Sequence, residues 1–158
     1  MDRMTEQRAG RVVAICTSRE RGVVKLPVSE AQLRTDHGIV GDAHAGPWAR
    51  QVSLLAQESI DRMRKVLPDL EAGAFAENVV TQDVDLVSLQ VGDRLRLGSD
   101  ICLEVTQIGK ECHTACAIGQ ATGDCIMPRE GIFCRVVAGG SLQPGDPVQI
   151  AGNTAQDQ

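Results

Sequence analysis

The chemistry-bearing residues of this chain are concentrated in Gly109-Lys110-Glu111-Cys112-His113-Thr114-Ala115-Cys116. The stretch sets a thiol beside an imidazole and a lysine, and nearby positive charge favours the nucleophilic thiolate over the thiol. Cys112 can therefore carry sulfur as a persulfide or ligate a soft metal. Adjacent side chains on an extended chain point to opposite faces, so Cys112 and His113 need not touch. The competing reading is a buried, inert cysteine. The polar neighbours Lys110, Glu111 and His113 weigh against it. Cys116 and Cys125 lie close in sequence and suit a resolving thiol. Together with Cys112 and His113 they also raise a structural zinc site. The irregular spacing, not the paired Cys-x-x-Cys of a zinc ribbon, weighs against zinc.

A second set of polar residues suits an anion. The loop Gly41-Asp42-Ala43-His44-Ala45-Gly46 runs into Arg50-Gln51-Val52-Ser53. His44, Arg50, Gln51 and Ser53 can bind phosphate, Arg50 in bidentate fashion. The alternative is a solvated polar loop. Ser18 to Lys25 is a further anion candidate that competes with a charged surface turn. Asn78 either orients a ligand or makes a local Asx-turn. Arg135 shares a face with Phe133 by period two, which suggests a pocket wall or barrel mouth.

These groups need a scaffold, and the chain's 158 residues suffice for one domain with a core. The aromatic residues are Trp48, Phe75 and Phe133, so the core must be aliphatic, which favours strands. Scarce rings and a net charge of −5 speak against a nucleic-acid partner. No apolar run is long enough for a transmembrane helix, and the polar N-terminus lacks a signal-peptide core. The expectation is no membrane association, a cytoplasmic location and reduced cysteines. Cys16, Cys102 and Cys134 fall in strand patterns and are expected to be packing residues.

The expected layout has a flexible N-terminus (residues 1–10), one domain (residues 11–150) and a flexible tail (residues 151–158). Arg11 to Thr17 is a strand and Val23 to Val28 an extended segment. Ser29, with Gln32 three residues on, caps a short helix. Glycines then punctuate a loop from Gly38 to Pro47. Gln51 to Leu55 is a strand and Ala56 to Leu67 a helix stopped by Pro68. Glu77-Asn78 opens an extended segment. Ile101 to Ile108 alternates cleanly, Ile132 to Ala138 is another strand, and Pro147 to Ile150 is the last. Ser88-Leu89-Gln90-Val91-Gly92-Asp93 is echoed by Ser141-Leu142-Gln143-Pro144-Gly145-Asp146, suggesting two similar corners. Many short strands, few helices and many glycines favour a mainly β fold, a closed or nearly closed β-barrel with a few short helices.

Taken in order, these motifs resemble the MOSC domain, named for the C-terminal part of molybdenum cofactor sulfurase. The carriers are Gly38 to Gly46, Arg50 to Leu55, Phe75-Ala76-Glu77-Asn78, Val91-Gly92-Asp93, Leu103 to Gln107 with Cys112, Gly131 to Val136, and Pro144-Gly145-Asp146. The similarity is greatest to short, stand-alone bacterial members. The resemblance implies a β-barrel and places the family's defining cysteine at Cys112. That residue would take sulfur from a pyridoxal-phosphate-dependent cysteine desulfurase, or ligate molybdenum in members that hold molybdenum cofactor. A molybdoenzyme partner is the other implied contact. Lys25, His44, Arg50, Gln51, Ser53, Asn78, His113 and Arg135 would serve the phosphate and pterin of that cofactor. No segment resembles a desulfurase, so pyridoxal phosphate would enter only through a partner. Ala49 stands where many relatives carry His. Lys110-Glu111 precedes Cys112 where the larger oxidoreductase members favour Arg, which sets the chain apart from molybdenum-reductase activity.

Overall fold

The computed structural model describes residues 10–21, 23–109 and 130–153. Cys112, His113, Cys116 and Cys125 lie outside the described residues. The elements in chain order are β1 (Gly10–Thr17), β2 (Leu26–Val28), β3 (Ala31–Arg34), β4 (Gly38–Ile39), β5 (Val52–Ala56), α1 (Gln57–Met63) and β6 (Val79–Gln82). A 3₁₀ turn (Leu86–Ser88) follows, then β7 (Asp93–Leu97), β8 (Ile101–Ile108), β9 (Ile132–Ala138), β10 (Gly140–Leu142) and β11 (Pro147–Asn153).

Seven strands close a barrel in the order β11-β7-β8-β9-β5-β6-β1, and β1 returns to pair with β11. Two rungs make the closure, Gly10 opposite Val148 and Arg11 opposite Pro147. Closure removes the open edges that a flat sheet would expose. β2 extends the sheet beside β1, and β10-β3-β4 form a separate three-stranded sheet. The period-two pattern fills the interior: Leu54, Val79, Leu95, Leu103, Val105, Cys134 and Val136 are all fully buried in one cluster. The only parallel pair among the described strands is β5 with β6, and α1 supplies the crossover that a parallel connection requires. Ile60 and Met63, three apart on α1, pack on Leu55, Val80, Phe75 and Phe133 of the outer wall.

The two echoed segments make the same turn. Asp93 N donates to Gln90 O (3.0 Å), Asp146 N to Gln143 O (3.1 Å). Each aspartate's Oδ2 then accepts the corresponding glutamine N–H at 2.9 Å. Gly92 and Gly145 have φ of 100° and 97°, the left-handed conformation at the third position of a type II turn. The strands that follow these turns, β7 and β11, pair with one another.

Several local expectations are corrected. Ser29 does not cap a helix, because Ala31 and Leu33 are buried while Gln32 and Arg34 are exposed, the period of a strand held by β10 and β4. Val23 and Val24 are exposed and outside any strand, so that segment contracts to Leu26–Val28. The helix loses Ala56 to β5 and ends at Met63, before the turn leading to Pro68. Cys16 and Cys134 are core residues, whereas Cys102 is half-buried.

Candidate functional site

Lys25 is the first surprise of the site. Its side chain is fully buried and salt-bridged to Asp42, also fully buried, at 2.8 Å from Nζ to Oδ1. Nζ also donates to Ser18 Oγ at 3.0 Å and lies 3.0 Å from His44 Nδ1. The backbone enforces this burial. Lys25 N donates to Gly73 O at 2.9 Å, and a Cβ on Gly73 would stand 1.9 Å from Lys25 O. Only glycine fits there, at a φ of +93°. The charged surface turn weighed for Ser18 to Lys25 is therefore wrong for Lys25.

Asp42 is held by its own loop as well. Ser18 N donates to Oδ1 and His44 N to Oδ2, each at 3.1 Å. Burial alone would raise its carboxyl, but the hydrogen bond from Lys25, those two backbone donors and the Lys25 charge outweigh burial and hold it below the usual carboxylate range. Nearby Glu77 is also fully buried and accepts from Gly73 N (2.7 Å) and Phe75 N (3.0 Å). Here burial wins over those donors and the Lys25 charge, and the carboxyl is raised.

Beside His44 lies Trp48, whose Nε1 donates to His44 O at 2.7 Å. The two rings are parallel within 8°, with centroids 6.3 Å apart. The Arg21 and Arg50 guanidinium carbons lie 4.6 and 5.0 Å from the Trp48 ring centroid, and Arg50 also sits 5.8 Å from that of Phe133. Among the described residues neither arginine is ion-paired with a carboxylate. Arg21 spends only its Nε, on Ala43 O at 3.3 Å.

The same corner adjoins the approach to Cys112. The Thr106 hydroxyl reaches the carbonyls of Ala49 and Phe133. Phe133 is opposite Gln107, whose Nε2 donates to Gly109 O at 2.8 Å, and Gly109 N donates to Gly131 O at 2.7 Å. Arg50, Gly109 and Gly131 thus share one end of the barrel.

The other expected site residues do different work. Gln51 is buried and accepts Val136 N at 2.9 Å, bracing β5 against β9. Ser53 and Asn78 bond each other, and Asn78 Nδ2 donates to Cys16 O at 3.0 Å. Arg135 does share the outer face with Phe133, but its guanidinium donates to Glu104 at 3.1 Å, beside Arg94. It belongs to the barrel wall, where a cross-strand acid compensates it. Sequence reading passed over Asp42, Arg21 and Trp48 individually. A lysine destined for burial demands an acid, and that was the signal available for Asp42.

A cavity of about 420 Å³ lined by Glu58, Arg62, Asp85, Leu86 and Glu130 among others shares no residue with this cluster. A smaller one, about 220 Å³, meets it through Ser18. Among the described residues no group of His, Cys, Asp and Glu could hold a metal ion, and no helix is long and apolar enough to cross a membrane.

A β-barrel with a buried lysine–aspartate pair beside two arginines that meet no carboxylate among the described residues defines a small barrel domain with a cationic end. The family model for the MOSC domain matches residues 41–149, and the chain belongs to that family. Its fold is similar to that of YuaD from Bacillus subtilis, with a TM-score of 0.75 at 18% identity, covering 90% of this chain and 95% of that one. It is also similar to YiiM from Geobacillus stearothermophilus (TM-score 0.67, 18% identity, 90% and 75% covered). YiiM from Escherichia coli follows (TM-score 0.62, 20% identity, 89% and 69% covered). Comparison with curated proteins finds no match.

Proposed function

We propose that this MOSC-domain protein binds molybdenum cofactor, or carries sulfur as a persulfide, with Cys112 as the metal ligand or sulfur carrier. The observation that supports the reading most is the pair of guanidiniums, Arg21 and Arg50, that meet no carboxylate among the described residues, at the barrel end where Gly109 lies. Cys112 follows Gly109 by three residues, a reach of at most about 11 Å.

The residues present fit the cofactor's phosphate: Arg50 and Arg21 supply charge, and His44 a ring nitrogen. Lys25 tunes that corner from beneath, since its ammonium hydrogens are spent internally. Gln51, Ser53, Asn78 and Arg135 act through the scaffold, and His113 joins Cys112 in the proposal on sequence grounds. A bound cofactor would supply a redox-active molybdenum. In the carrier reading, the Cys112 thiolate attacks the terminal sulfur of a partner desulfurase's persulfide. A new S–S bond forms, the donor's S–S bond breaks, and the donor cysteine leaves as thiolate. The partner, a cysteine desulfurase or a molybdoenzyme, lies in the cytoplasm on this reading.

The test is native mass spectrometry with elemental analysis of anaerobically purified protein and of Cys112→Ser. Molybdenum with a pterin mass, lost in the variant, supports cofactor binding, and one added sulfur on Cys112 supports a carrier. Full loading of Cys112→Ser refutes both. A second reading, a pterin- or phosphate-binding module without chemistry at Cys112, is favoured by the arginine pair alone. It requires phosphate binding that survives Cys112→Ser and fails in Arg50→Ala.

A further inference from the structure

We infer that Lys25 is a positioning residue that fixes His44 in a single tautomer, with Nδ1 as acceptor and the proton on Nε2. The inference deepens the anion reading of this corner and rests on it only for the ligand, not for the tautomer.

An ammonium group has three donors and no acceptor. Lys25 Nζ has three neighbours at hydrogen-bond distance: Asp42 Oδ1 at 2.8 Å, Ser18 Oγ at 3.0 Å and His44 Nδ1 at 3.0 Å. Ser18 Oγ uses its own hydrogen on Glu20 O at 2.9 Å, so it must accept from Lys25. Asp42, held below the usual carboxylate range, is the anionic partner of this ammonium. His44 Nδ1 must then offer its lone pair, since a proton there would set two donors head to head. The imidazole N–H is left to Nε2. Asp42 also grips the His44 backbone N–H through Oδ2, so ring and backbone answer to the same ion pair. Stacking on Trp48 restrains the ring plane.

Among the described residues the charged groups around the ring are Lys25 and Asp42, with Arg21 and Arg50 on Trp48. Three of these four are cations, and Asp42 is salt-bridged to Lys25. A neutral ring that donates from Nε2 selects an oxygen acceptor, such as a phosphate or an oxo group, over a donor N–H.

Long-range proton–nitrogen correlation spectra of protein labelled in the histidine rings test this directly, with His44→Gln for assignment. The wild-type chain should show a lone-pair Nδ1 and a protonated Nε2 near neutral pH. A protonated Nδ1 in the wild type overturns the inference without any variant. In Lys25→Met, Asp42 loses its cation and draws a proton onto Nδ1, 3.9 Å from its Oδ2. The Nδ1 resonance should move to the protonated range while the amide spectrum keeps its dispersion. An unmoved Nδ1 resonance in a folded Lys25→Met refutes the positioning role. If that variant does not fold, the wild-type spectrum decides alone. Titration with inorganic phosphate separates the two readings. An unmoved Nε2 signal would count against anion binding, while the expected tautomer would still uphold the role of Lys25.

Discussion

Ser53 and Asn78 satisfy each other across the β5–β6 seam. Asn78 Oδ1 accepts from Ser53 N at 3.0 Å and lies 3.3 Å from Ser53 Oγ, which in turn accepts Asn78 N at 3.0 Å. Asn78 Nδ2 carries the network on to Cys16 O in β1. Three strands of the barrel are therefore stitched at one buried amide. Asn78→Ala leaves a buried N–H and a buried carbonyl without partners, about 1–3 kcal/mol each. Ser53→Ala removes only the hydroxyl and should cost about 1 kcal/mol. Urea denaturation should rank the two in that order, and equal losses would show that the amide does not carry the seam.

The Lys25–Asp42 pair makes stability depend on acid. The folded-state pKa of Asp42 is depressed, so its contribution is fully present above the unfolded carboxylate value, about 3.9. It fades as pH falls through the lower folded value. Asp42→Asn strands a buried ammonium and should cost about 3–5 kcal/mol at pH 7. The gap between wild type and variant should narrow below about pH 4, measured by denaturation at several pH values. A gap that is constant with pH would mean that the charge of Asp42 is not what holds Lys25.

The cysteines should differ sharply in reactivity. Burial, helped by Glu77 and opposed by Lys25, pushes the Cys16 thiol up to about 12. Burial raises Cys134 as well, with Cys102 and Glu104 adding to it. At pH 8 Cys16 is therefore held almost wholly as the unreactive thiol, before access is counted. Brief alkylation of native protein followed by peptide mass mapping should leave Cys16 and Cys134 unmodified, while denatured protein reacts at all six cysteines. Rapid native labelling of Cys16 would contradict its burial.

The legible parts of this fold were those set by local pattern. β8 alternates over eight residues, and the structure keeps Ile101, Leu103 and Val105 inside. The Gln90–Asp93 and Gln143–Asp146 turns repeat because glycine and aspartate each perform a local task there. Ala31–Arg34 was misread because a serine followed three residues later by glutamine imitates a helix start. What makes it a strand is β10, more than a hundred residues away in the chain. The burial of Lys25 was equally hidden. It needs Asp42, seventeen residues on, and the missing side chain of Gly73 in a third segment. The anion candidates divided in the same way. Arg50 meets no carboxylate among the described residues and lies on the rings of Trp48 and Phe133, whereas Arg135 met Glu104 only once β8 and β9 were paired.

Two glycines with nearly the same backbone should respond very differently to alanine. Gly73 and Gly145 have φ of 93° and 97°, so each substitution bears the left-handed penalty of about 1–2 kcal/mol. At Gly145 the added methyl meets nothing within 4 Å, and the penalty ends there. Asparagine, which tolerates this conformation better, should recover part of it. At Gly73 the methyl would meet the carbonyl of Lys25 at 1.9 Å, and backbone cannot yield as a side-chain tip can. The segment carrying Lys25 must retreat, loosening its grip on Asp42 and the ring of His44. Gly73→Ala should therefore lose clearly more thermal stability than Gly145→Ala. It should also disturb the His44 ring resonances, which Gly145→Ala leaves alone. Equal melting temperatures for the two variants would mean that the close approach of Gly73 to Lys25 does not hold the cationic corner together.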